Sequence, residues 1–225
     1  MTLLIGLLNP CFAGELVDAC PANSSGTELK NKTAVIAHPA LKIADQIGPC
    51  AEKTNLVKIK KIIDDLIKGY FPRLKDAKIT VSEFKSEAYY LQTGFGNIFA
   101  HAWNRNFTIE INPKLYKCPP PPDALRAILA HELFHIQDYR NRSTFGMIGL
   151  GLKYTRNSAT NSYERSADER VLQLGKDFKD PSFFKGIKEY RQWIYPKLNE
   201  KELKTKKERY FTPEEVDKWV LENVK

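Results

Sequence analysis

Two histidines four residues apart, with a glutamate after the first, constrain this chain more than any other feature. In His131-Glu132-Leu133-Phe134-His135 the two imidazoles share a face only if the backbone is helical, because residues i and i+4 then lie one above the other. The flanking residues favour that helix. Leu125, Ile128, Leu129, Leu133 and Ile136 recur at helical spacing over Ala124 to Tyr139, and Asp123 after four prolines reads as its N-cap. On such a helix both rings can bind one metal ion, and Glu132, one step along, leans toward a water on it. Two neutral nitrogen ligands, a water and a carboxylate to take its proton make up the kit of zinc-assisted hydrolysis. Half of the chain's four histidines sit in this pentapeptide.

A catalytic zinc with two histidine ligands needs a third protein ligand. No histidine follows His135, and positions 138 and 141 are Asp and Asn, so the third donor is a carboxylate. Glu164 fits best, since it lies on a predicted second helix with Asp168 four residues later on the same face. A carboxylate ligand backed by a second carboxylate is the arrangement that binds zinc and fixes the tautomer of a ligating histidine. Glu169 competes, but it points further round the helix and has no second partner at helical spacing.

His131-Glu132-x-x-His135 followed by Glu164-x-x-Ala167-Asp168 resembles the gluzincin clan of zinc metallopeptidases. The Glu-x-x-Ala-Asp form is similar to that of the membrane-associated CAAX-type and heat-shock-type proteases. The wording from His131 to Asn141, with Lys153 to Asn157 and Tyr163 to Asp168, is closer to bacterial metallopeptidases of the kind associated with contractile injection systems. The resemblance spans roughly Asn106 to Gly175. It implies an α+β, zincin-like fold with a small antiparallel or mixed sheet packed on the active-site helix. It also implies one Zn2+ per chain held by His131, His135 and Glu164, Glu132 as general base, and a peptide or protein substrate. Gluzincins commonly place a His or Tyr on the oxyanion, a role open here to Tyr163, Tyr154 and His101. A competing reading keeps the zinc without proteolysis, as a structural, envelope-binding or partner-binding protein. An intact Glu132 argues against it, because a binding site needs the ligands and not the base.

The remaining sequence divides into an apolar leader over 1–13, a loosely patterned segment over 14–53, a zincin-like domain over 54–178 and a helical C-terminal part over 179–225. Leu3 to Leu8 followed by Cys11-Phe12-Ala13 reads as a secretory leader, placing the protein in the periplasm or outside the cell. The apolar run is too short for a membrane span. Cleavage after Ala13 leaves Cys20, Cys50 and Cys118. In an oxidising compartment Cys20 and Cys50 could pair and leave Cys118 over; the alternative is that all three are ordinary thiols. The net charge of +8, carried mainly by lysine, allows docking on anionic surfaces, while no aromatic-basic motif signals a specific nucleic-acid partner.

From Thr54 to about Gly69, the residues Leu56, Ile59, Ile62, Ile63, Leu66 and Ile67 form one helical stripe. Strands are predicted over Lys78–Phe84, Glu87–Gln92, Asn97–Trp103 and around Phe107–Ile111, with turns at Gly94–Gly96 and Asn104–Asn106. A sheet edge beside the metal helix can hold an extended peptide. Phe145–Leu152 reads as a short apolar helix. A further helix opens at Tyr163 and stops at Gly175. The C-terminal third reads as structural helices, one after Asp180-Pro181 and one from Thr212, joined by a lysine-rich link over Lys197–Arg209.

Overall fold

The computed structural model describes residues 52–86, 89–97 and 104–224. These form a mostly helical α+β fold around one three-stranded mixed sheet. The expected leader, almost all of the 14–53 segment, and the expected strand beyond Asn97 lie outside the described residues. No helix among the described residues is long and apolar enough to cross a membrane.

Helix α1 (Glu52–Tyr70) carries the anticipated stripe, with Ile59, Ile62, Ile63 and Leu66 fully buried. The sheet consists of β1 (Lys78–Glu83), β2 (Leu91–Phe95) and β3 (Asn106–Ile111). Strand β3 is central, parallel to β1 and antiparallel to β2. Its two-residue alternation buries Phe107, Ile109 and Ile111. Two sequence expectations shift here. Strand β2 starts at Leu91, later than the pattern from Glu87 suggested, and Gly94 pairs with Thr108 inside it where a turn was expected. The left-handed backbone instead falls at Asn97, whose φ is 54°, a conformation asparagine tolerates better than most residues.

After a single turn, α2 (Lys114–Lys117), comes the central helix α3 (Pro122–Asn141). It begins one residue before the expected cap. Pro122 takes the first helical position, where no N–H is required, and Asp123 accepts from Lys185 Nζ at 2.8 Å. The far end is closed by buried Arg105, whose guanidinium donates to the carbonyls of Tyr139 (2.8 Å) and Arg142 (2.7 Å). Cys118, between α2 and α3, is disulfide-bonded. Every other cysteine precedes residue 52, so its partner lies outside the described residues. This corrects the expectation that Cys118 is the one left unpaired.

Helix α4 (Thr144–Tyr154) buries Met147 and Leu150 and exposes Phe145 and Leu152. Helix α5 (Asn157–Asp177) starts before Tyr163 and runs through Gly175. The glycine serves close packing and not termination, since a Cβ there would lie 2.8 Å from Cε1 of Phe184. Helix α6 (Ser182–Ile194) lies directly along α3. At Gly186 a Cβ would fall 2.2 Å from the Asp123 carbonyl oxygen, so the two backbones touch. Asp180 caps α6 by accepting from the Ser182 amide at 3.1 Å and the Ser182 hydroxyl at 2.6 Å. Its other oxygen holds buried Arg126 of α3 at 2.8 Å, which also donates to the Tyr70 hydroxyl at 2.7 Å and lies 4.2 Å over the Phe183 ring. One guanidinium thus pins α1, α3 and α6 together.

The lysine-rich link is itself a helix, α7 (Glu200–Arg209). Its Lys, Glu and Leu residues are good helix formers, and Asn199 and Glu202 supply a capping box that composition alone obscured. Helix α8 (Pro213–Asn223) opens on the expected Thr212–Glu215 box.

Candidate metal centre

Helices α3 and α5 bring His131, His135 and Glu164 together, all buried, with ligand atoms within 4.8 Å of one another. The separations are specific. Nε2 of His135 lies 3.0 Å from Nε2 of His131, and Oε2 of Glu164 lies 3.2 Å and 3.4 Å from the two nitrogens. Four ligands set tetrahedrally at the usual zinc bond lengths are about 3.3 Å apart. The three atoms therefore already form one face of a tetrahedron of the right size. Two imidazole nitrogens facing each other at such a distance share either a proton or a cation between them, because both lone pairs cannot point at the same space unshared. This group can hold a metal ion.

The tautomer that leaves Nε2 free is set from behind. Nδ1 of His131 lies 2.8 Å from Oδ1 of Asp168, one turn after Glu164 and fully buried. The other Asp168 oxygen accepts from buried Arg191 at 2.6 Å and from the Phe211 amide at 3.0 Å. Burial raises the Asp168 carboxyl, but Arg191 and His131 outweigh it and hold it below its ordinary value. Glu164 is likewise raised by burial and pulled well below the usual carboxylate range by His135 and His131. Burial alone would push His131 down; the bonds and charges of Asp168 and Glu164 lift it to about 10. The fold thus concentrates negative charge around the group that could hold a cation. Glu169, the rival third ligand, is exposed.

The hydroxyl of Tyr163 is spent on Asp138, at 2.9 Å, while its ring stacks on His135 with centroids 5.0 Å apart. Its ring buttresses His135 and its hydroxyl is directed to Asp138. The side chain of Tyr154, and His101 altogether, lie outside what is described. Glu132 lines a cleft beside His131 and accepts a hydrogen bond from the Thr93 hydroxyl on β2. Two residues further along the same strand face, Phe95 meets Tyr139 of α3 edge to face at 5.1 Å. Strand β2 therefore runs along α3 and is an outer strand of the sheet among the described residues.

Sequence reasoning missed the opposite wall. The C-terminal third carries Arg191 and also Tyr210, whose ring lies 6.0 Å from that of His131 and lines the same cleft. Tyr210 is clamped at its backbone. Its carbonyl accepts from Arg165 at 3.0 Å, and the next amide is the one held by Asp168. Burial pushes its hydroxyl well above the ordinary tyrosine value, so it is a donor at neutral pH. Nothing local in the sequence marks Thr93, Arg191 or Tyr210, which reach the site from three different elements. Comparison of the chain with protein families, with curated proteins and with solved structures finds no match.

Proposed function

We propose that the protein is a zinc-dependent peptidase of zincin-like fold that hydrolyses peptide bonds with Glu132 as general base. The observation that carries this reading is the triangle of His131, His135 and Glu164 at tetrahedral spacing, with Glu132 beside it on the wall of an accessible cleft. Two imidazoles and one carboxylate suit zinc, and three protein ligands leave a position for water or substrate, as in catalytic rather than structural sites. A zinc ion so held supplies Lewis acidity to the water and to the peptide carbonyl.

The chain's own groups supply the rest. Glu132, oriented by Thr93, takes the proton of the attacking water at a carboxylate oxygen and delivers it to the leaving nitrogen. The Tyr210 side chain lines the cleft beside His131 on a backbone held by Arg165 and Asp168, which supports its hydroxyl as the donor to the developing oxyanion. Among the described residues β2 has no strand on its outer side, which supports that edge as the place for an extended substrate's backbone. Measuring bound zinc together with cleavage of an unfolded protein, in the native chain and in Glu132→Gln, tests this reading.

A further inference from the structure

The cleft beside Glu132 is unusual in what lines it. Five tyrosines, Tyr89, Tyr90, Tyr190, Tyr195 and Tyr210, form much of its walls. Its charged lining is His131, Glu132, Arg191 and Lys206, so Glu132 is its only carboxylate among the described residues. Arg191 is occupied. Besides Asp168 it donates to the Phe211 carbonyl at 3.3 Å, and its guanidinium lies over Tyr210 and Tyr190 at 4.6 and 5.4 Å.

Lys206, from α7, also lines the cleft, and its Nζ lies 5.1 Å from the ring of Tyr210 and 5.6 Å from the ring of Tyr89. The ammonium therefore sits between two of the lining tyrosines. Through Tyr210 it lies no more than about 11 Å from the His131 ring, which is at most three residues of extended peptide. An ammonium has three donors, so it can take a substrate oxygen while keeping other contacts. Tyrosine rings around it lower the local dielectric and strengthen an ion pair formed there.

We infer that Lys206 anchors a carboxylate of the substrate, and that the cleft selects peptides carrying one within three residues of the bond to be cut. This deepens the peptidase reading and rests on it. The carboxylate is either an Asp or Glu side chain, which makes the enzyme an acid-selective endopeptidase, or the chain's own C-terminus, which makes it a carboxypeptidase. Both present the same chemistry to Nζ.

The test uses mixed-sequence peptide libraries in three forms: acidic side chains with an amidated end, neutral side chains with a free end, and neutral side chains with an amidated end. Binding is measured to zinc-loaded Glu132→Gln protein, and cleavage is measured with the unmutated protein. One carboxylate-bearing library should bind about tenfold more tightly than the neutral amidated one, the range of one charge-assisted hydrogen bond. Which library it is names the source. Adding Lys206→Met should abolish the preference, and Lys206→Glu should reverse it, with thermal melting showing that both variants remain folded. A preference that survives in Lys206→Met, or equal or absent binding of all three libraries, overturns the inference. Equal cleavage of all three with an inactive Glu132→Gln leaves the peptidase reading standing alone. Lys206-dependent binding without cleavage leaves the carboxylate site standing and removes the peptidase.

Discussion

Replacing Asp168 by Asn removes one charge and almost no volume, yet the structure says it cannot be silent. Oδ1 accepts from Nδ1 of His131, and Oδ2 accepts from both Arg191 and the Phe211 amide. An asparagine offers one acceptor oxygen and one NH2 donor. If the oxygen stays toward His131, the NH2 confronts a buried guanidinium and an N–H. Breaking such a buried pair costs about 3–5 kcal/mol. If the amide flips, Arg191 and Phe211 keep an acceptor, but NH2 faces Nδ1 of His131. The ring must then accept there and carry its proton on Nε2, the atom aimed at the metal position. Imidazole tautomers differ little in energy, so the flip is the cheaper solution. Asp168→Asn should therefore weaken metal binding by about 10–100-fold, the usual effect of losing such a supporting group. The apo protein should lose less stability than the 3–5 kcal/mol of the unflipped case. Competition with a chromophoric chelator gives the first quantity and urea unfolding of apo protein the second. Native metal affinity together with native stability would refute the assigned roles of both Asp168 oxygens.

Three further outcomes follow from other contacts. Gly186→Ala puts a methyl 2.2 Å from the Asp123 carbonyl, so α6 must lift off α3; a loss of about 1–3 kcal/mol is expected from overpacking, and an unchanged urea midpoint would contradict the close approach. Lys197 is buried, donates to the Trp193 carbonyl at 2.6 Å, and is pushed down by burial to about 8. The unfolded chain keeps that proton up to about 10.4, so the cost to the fold is complete below pH 8 and fades as pH rises toward 10. Lys197→Met should thus gain stability over the native protein at pH 7 and lose that advantage by pH 10; a pH-independent difference would contradict the assignment. Tyr210→Phe should lower kcat by about a hundredfold, as loss of an oxyanion donor does, with bound metal and KM little changed; an unaltered kcat would remove Tyr210 from the mechanism.

The grouping of His131, His135 and Glu164 was legible because its pattern is local. His131 and His135, and Glu164 and Asp168, are each pairs at helical spacing, and periodicity alone puts each pair on one face. The Thr212–Glu215 capping box and the stripe of α1 were legible for the same reason. What the sequence concealed is long-range. Thr93 and Arg191 lie 39 and 23 residues from Glu132 and Asp168, Tyr210 lies 79 from His131, and none carries a spacing rule. Gly175 misled because glycine signals both a helix stop and a close approach, and only the ring of Phe184 decides between them. The lysines of α7 read as a solvated link because their pattern lacks an apolar stripe, although Asn199 and Glu202 marked a helix start.

The central claim is tested most directly by metal analysis of the purified protein and its Glu132→Gln variant, each paired with a casein digestion. The account predicts about one zinc per chain in both, with cleavage by the native protein only. A native protein that binds no zinc, or a Glu132→Gln variant that digests casein at the native rate, would contradict it.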